Sequence, residues 1–484
     1  MRKRKNPLQE ISSMDHTIKK TEQKALEINL DANIYGTFAE IGAGQEVARN
    51  FFQVGAAAGT IAKTMSAYDK TYSDAIYGAE ESGRYVCESR LYKMLDHEYQ
   101  LIEERLVASK SEDRRYFVFA DTVAAINYKK TVKGQGWMGV RFQHVPGGDY
   151  NDLVIHVKML DNDNRLQQEA IGVLGVNMLY ACYFHAEEPE VFVRSLLDGL
   201  NGRISIDLIR LTGPDFTEVD HRLLALYLVK NGLTDVTMFD INQSLHASEF
   251  LYKKSLMVVR GNFRPPTKVT LDVIRSSFHQ FRNESDIEDD KAFIVSEITL
   301  EYLSKFGQIS DQDFIDRADM LCALGQTVVI SNCNNHQSLI NYLSDYKIKH
   351  LGLVIGVNEL LDIINEKFYE NQDGRLLVAF GELFTKTIKI YAYPALDRST
   401  RKLITAKNLP VPEGITFLYK HLLDGEQVVE VKDYEESMLD IFPIDVYKDI
   451  KEGGTEWEDK LPPVLVPLIK EKGSFGYNSV PVDA

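Results

Sequence analysis

The chain is short of the residues that mark several protein classes. It has four cysteines in 484 residues, Cys87, Cys182, Cys322 and Cys333. None forms a CxxC pair or sits in a Cys/His cluster, which argues against a disulfide scaffold and against a zinc knuckle. They read as small buried hydrophobes in a reducing compartment. No run of about 18 uninterrupted apolar residues occurs, so no membrane-spanning helix is expected. The regularly repeated alternating segments of an outer-membrane barrel are missing too. Met1-Arg-Lys-Arg-Lys5 is basic but leads into polar sequence, without the apolar stretch of a secretory signal. A cytoplasmic location is the resulting expectation. Positive charge is also in deficit, with 55 basic against 71 acidic residues and a formal net charge of -16. Such a surface repels phosphate backbones, which excludes nucleic acid as a general partner. A local basic pocket for one small phosphate remains compatible with it.

What is present is ordinary globular composition, 44% hydrophobic. The length exceeds what one core usually serves. Residues 1–24 read as a tail and 25–110 as a mainly helical region. An α+β domain follows over 111–248, then a Rossmann-like α/β domain over 249–440 and an irregular extension over 441–484. The Gly/Ala-rich stretch 51–65 reads as a helix whose small residues permit close packing, within the chain or in a homo-oligomer. Pro146-Gly-Gly-Asp149 separates two strand candidates, Trp137–His144 and Leu153–Leu160, as in an antiparallel meander. Beyond 250, strands at 255–260, 292–298, 326–331, 350–355 and 387–393 alternate with helical text. That alternation predicts a mostly parallel sheet covered on both faces, so the fold class is α/β. Gly325 and Gly352 are assigned to its turns.

The segment richest in chemistry is 255–281. Ser255-Leu-Met-Val-Val-Arg260 is a strand, Gly261-Asn-Phe-Arg-Pro-Pro-Thr267 a loop, and Lys268 opens an amphipathic helix. A glycine directly after a strand lets backbone approach a ligand closely. The helix N-terminus offers free N–H groups at the sheet's carboxyl edge, where ligands sit in open α/β sheets. Arg260, Arg264 and Lys268 add positive charge. The expected partner is a small phosphate-bearing ligand held by Gly261, Asn262, Phe263, Arg264, Pro265, Thr267, Lys268 and Thr270. Ser331 and Asn332, which end a later central strand, join the candidate binding set. The histidines show no ligand spacing such as HExxH, and no metal site is assigned.

Gly261-Asn-Phe-Arg-Pro-Pro-Thr267 resembles the Gly-Ser-Phe-x-Pro-x-Thr stretch of nicotinamide/nicotinate mononucleotide adenylyltransferases. The resemblance covers residues 255–281 and implies nucleotidyl transfer from ATP with Mg2+ by positioning and charge stabilisation. Gly261, Phe263, Pro265 and Thr267 match the pattern. Asn262 replaces its serine, and Thr270 stands where a phosphate-binding histidine is expected. A second hallmark, Ile-Ser-Ser-Thr-x-x-Arg, has a partial echo at Ile330-Ser-Asn-Cys-Asn-Asn-His336. Stretches such as Phe38–Arg49, Ser73–Gly78 and Val328–Asn332 resemble a bacterial family of about this length. Its members are labelled either as that adenylyltransferase or as a TonB-dependent receptor. The receptor label conflicts with the missing signal and barrel.

Two further resemblances are weaker. Glu40-Ile-Gly-Ala-Gly44 is similar to the glycine loop of S-adenosylmethionine-dependent methyltransferases, but Gln45-Glu46 follows, and a tight turn into a helix accounts for it. Phe293–Thr299 followed by Gln326–Asn332 resembles the first two motifs of haloacid-dehalogenase-type phosphatases. There Glu297 stands in the place of the nucleophilic aspartate, and a carboxylate displaced by about an ångström can cost 10²-fold in rate, so this reading is a pseudo-phosphatase at most. The alternative to a nucleotide-binding protein is a non-catalytic protein assembling through its N-terminal region.

Overall fold

A computed structural model describes residues 18–106, 113–305, 307–370, 376–381 and 388–478. The chain divides into two compact units, Met1–Thr234 and Asp235–Ala484.

The first unit is built on strands β1 (Ile34–Ile41), β2 (Ile61–Met65), β3 (Arg115–Ala124), β4 (Gly134–Gln143), β5 (Tyr150–Met159) and β6 (Ile204–Thr212). They form one sheet in the order β2-β1-β3-β4-β5-β6. β1 runs parallel to β2 and β3, whereas β3 to β6 pair antiparallel. Helices Thr21–Leu30, Glu46–Val54 and Asn164–Phe184 share a core with Phe38, Phe117, Phe119 and Leu153 on one face. On the other face Leu91, Met94 and Leu95 of helix Glu88–Leu106 pack with Val118 and Val154. The expected meander is present in β4 and β5. The helix expected over 51–65 is not. Gly55 at φ +80° ends helix Glu46–Val54, and Ile61–Met65 joins the sheet. A residue in that backbone region terminates a helix, so the alanines beyond it do not continue one.

The second unit carries strands β7 (Val236–Phe239), β8 (Ser244–Leu245), β9 (Ser255–Arg260), β10 (Ala292–Thr299), β11 (Thr327–Ser331), β12 (His350–Gly356), β13 (Ile388–Tyr393), β14 (Ala395–Leu396), β15 (Leu403–Ile404) and β16 (Val428–Glu430). The main sheet runs β16-β13-β12-β9-β10-β11-β7-β8. Strands β9 to β13 and β16 are mutually parallel, and β7 closes the edge antiparallel to β11. The α/β, Rossmann-like reading is therefore the architecture of this unit. Its central strands are buried along most of their length, as the apolar run Leu256-Met-Val-Val259 requires of a strand covered on both faces. Chain order proceeds from β9 to β10 and β11 on one side, then jumps to β12 and β13 on the other. The switch point lies between β9 and β12.

Two local expectations change. Gly325 does turn the chain, at φ +72° after helix Asp311–Ala323, but Gly352 lies inside β12. A Cβ there would stand 3.1 Å from the Tyr391 ring and 3.2 Å from that of Phe281, so the glycine serves close packing. The segment beyond 441 is helical at Pro443–Glu452 and Leu465–Lys472. Pro443 opens the first helix, and Gly453 and Gly473 in left-handed conformation close both. These residues act as helix punctuation rather than as marks of irregular chain. Trp457, Leu461, Leu465, Ile469 and Phe475 form a buried cluster with Met320.

Candidate functional site

The carboxyl edge of the β9–β13 sheet gathers the residues singled out from sequence. β9 ends at Arg260, and the Gly261 N–H donates to the Glu297 carbonyl at 3.1 Å, extending the ladder by one residue. Phe263 then takes φ +48° and buries its ring, 3.0 Å from where a Gly261 Cβ would lie. Glycine at 261 leaves room for the next aromatic, which folds back under it. Pro265, Pro266 and Thr267 are buried. The Thr267 N–H donates to Thr270 Oγ1 at 3.1 Å, in a capping box that opens helix Lys268–Arg282. Thr270, at the position of the expected phosphate ligand, is engaged in this cap. Lys268 is half-buried and has no ion-pair partner among the described residues. The backbone N–H groups of Asn262, Lys268 and Val269 likewise have no acceptor there.

The other two cations of the motif are committed elsewhere. Nε and Nη2 of Arg260 donate to both oxygens of Glu297 at 2.8 and 3.0 Å, in a pair almost fully withdrawn from water. Ser331 Oγ donates to the same carboxylate at 2.5 Å. Strand register explains this: Glu297 lies opposite Arg260 in the β9–β10 ladder. Arg264 Nε lies 2.6 Å from Asp313, and its guanidinium sits 4.3 Å from the centre of the Tyr447 ring. Of the three cations expected to face a phosphate, Lys268 is therefore the one not neutralised by a carboxylate. Asn332 donates its N–H to the Asp235 carbonyl at 2.8 Å. That bond ties it to the β7 side of the sheet, two strands from β9.

Several residues that sequence did not assign complete the edge. Arg317, fully buried in helix Asp311–Ala323, donates through Nη1 to Asn262 Oδ1 at 2.6 Å and to the Asn262 carbonyl at 3.0 Å. Its Nη2 donates to Asp313. Asp313 and Arg317 stand four apart, which from sequence looks like an ordinary solvated helix pair. His336 opens helix His336–Ser344 and lies 3.9 Å from Glu359, at the start of helix Val357–Glu370. Burial, reinforced by Arg260, lowers the His336 pKa to about 3, so its imidazole stays neutral. Burial raises the Glu359 carboxyl. Burial, then Glu297, push the Cys333 thiol up to about 12, so it is not a nucleophile. Tyr302 is likewise raised by burial to about 12.

A cavity of about 920 Å3 opens at the opposite, amino edge of the same sheet, beside His350, Ile388 and Tyr391. Two ion pairs line it, Lys389–Glu284 and Lys407–Glu430, both at 2.7 Å. The carboxyl edge, by contrast, has the strand-order reversal and the uncommitted donors, which makes it the candidate site.

No protein-family profile matches the chain, and no curated protein matches it. Solved structures resemble parts of it. One is competence/damage inducible protein CihA from Agrobacterium tumefaciens, 17% identical, covering 34% of this chain and 94% of that one, with a TM-score of 0.24. A competence-damaged protein (CinA) superfamily protein from Enterobacter cloacae is 14% identical over 35% of this chain and 96% of that one, at 0.25. Nicotinic acid mononucleotide adenylyltransferase from Plasmodium falciparum, complexed with APC, is 12% identical over 46% of this chain and 98% of that one, at 0.29. These are likenesses between parts of folds and assign no activity to this chain.

Proposed function

We propose that the second unit binds a nucleotide at the carboxyl edge of its parallel sheet, with a phosphate over the 261–268 segment. The observation that carries this reading is the conjunction at the β9/β12 switch point of Lys268 with the N–H groups of Asn262, Lys268 and Val269, all without a partner among the described residues. The sequence resemblance of Gly261–Thr267 supports the finer reading, a nucleotidyl transfer site of the mononucleotide adenylyltransferase kind. Its transfer chemistry is weakened, since Thr270 caps the helix and supplies no positive charge. Mg2+ accompanying ATP is held largely by phosphates and water. Among the edge carboxylates, Glu297 and Asp313 are ion-paired, so Glu359 is the residue suited to approach it.

Calorimetric titration with ATP, nicotinamide mononucleotide and their dinucleotide product tests the reading. Wild type binds at least one of them. Lys268→Ala loses a charge-assisted contact of about 1.5–3 kcal/mol, roughly 10- to 150-fold in affinity. Absence of binding by wild type, or unchanged affinity in the variant, overturns it.

A further inference from the structure

We propose that Arg317 is a positioning residue that turns Asn262 into a pure hydrogen-bond donor, so that the site selects ligand groups able only to accept. The inference rests on the nucleotide-binding reading above and names what the site discriminates. A guanidinium has five donors and no acceptor. Arg317 Nη1 lies 2.6 Å from the Asn262 carboxamide and 3.0 Å from the Asn262 carbonyl. Only the oxygen end of the carboxamide can face it, because a flipped amide would set donor against donor. Nδ2 is consequently left on the side away from the guanidinium, and it has no partner among the described residues. The backbone N–H of Asn262 is equally unclaimed. One residue thus has both oxygens engaged by the guanidinium and both nitrogens available. Asp313 holds the guanidinium from behind and also grips Arg264, so the loop is pinned at two points by one helix. A phosphate oxyanion, which accepts and never donates, matches this arrangement. A neutral hydroxyl gains less from it, since both Asn262 oxygens that would accept its proton already face the guanidinium.

The test compares wild type, Asn262→Asp and Arg317→Lys, with ATP, inorganic pyrophosphate and uncharged adenosine as probes. Asn262→Asp keeps the shape and the Arg317 contact but replaces the free donor with an anion. The expected result is loss of tenfold or more in ATP and pyrophosphate affinity, with adenosine affinity within twofold and a melting temperature unchanged or higher. A residue with a structural role alone would lower the melting temperature instead. Arg317→Lys, which lacks the fork, weakens pyrophosphate binding and raises hydrogen exchange in 261–267 ahead of the rest of the unit. If wild type binds ATP and Asn262→Asp binds it equally well, this inference falls while the nucleotide reading stands. If wild type binds no probe, the nucleotide reading itself falls.

Discussion

Glu40 and Asp121 face each other in the first unit as register partners on parallel strands β1 and β3, both with 0% exposure. Glu40 accepts the Val47 and Ala48 N–H groups at 3.0 Å each, and Asp121 Oδ1 accepts that of Ile41 at 2.9 Å. The second Asp121 oxygen has no hydrogen-bond partner among the described residues. Among the described residues, the further charge that acts on Glu40 is Glu46, a third carboxylate. Two adjacent carboxylates without a cation do not both ionise when buried. Burial first, then mutual repulsion, holds Asp121 well above its ordinary range, and burial raises Glu40 from 4.5 to about 7. The folded state therefore retains protons that the unfolded chain releases. Stability is fully present below the unfolded value and is lost as pH rises through the folded one. At about 1.4 kcal/mol per pH unit, Glu40 alone removes on the order of 3 kcal/mol between its unfolded and folded values. Asp121→Asn supplies a permanent neutral donor and removes the titration of Asp121 itself, so its alkaline decline is shallower than that of wild type. The assay is denaturant unfolding from about pH 5 to pH 8.5. Trp457→Phe as background leaves Trp137 of β4 to report on the first unit, since the chain has two tryptophans. A wild-type stability that stays level over that range, or an Asp121→Asn profile parallel to wild type, refutes the shared-proton argument.

Glu297→Ala strands Arg260 without its carboxylate in a buried site, at an expected cost of about 3–5 kcal/mol measured by denaturant unfolding. His336, held neutral by burial and Arg260 beside Glu359, gives the opposite pH sign to the Glu40 pair. Its stability contribution is present above the ordinary histidine pKa of 6.5 and is lost as pH falls, so His336→Gln flattens the acid limb of a melting profile. Gly352→Ala pushes a methyl against Tyr391 and Phe281 and costs about 1–3 kcal/mol, read as a lowered denaturant midpoint at unchanged slope.

The parallel sheet of the second unit was legible because its strands are short, continuous apolar runs set between helical text, as in Ser255–Arg260 and Thr327–Ser331. The loop at Gly261 was legible because glycine after a strand and two prolines before a helical pattern are local signals. Residues 51–65 misled because alanine content favours a helix, whereas one glycine at positive φ decided otherwise. Sequence by itself therefore determined where the central strands of the second unit lie and where a glycine loop follows β9. Which charges remain available was decided only by tertiary structure. Arg260 and Arg264 look like Lys268 in a one-dimensional text, yet partners 37 and 49 residues away neutralise them. Strand register and helix packing create those pairings, and a charge is free or consumed according to distances that exist only once the chain has folded.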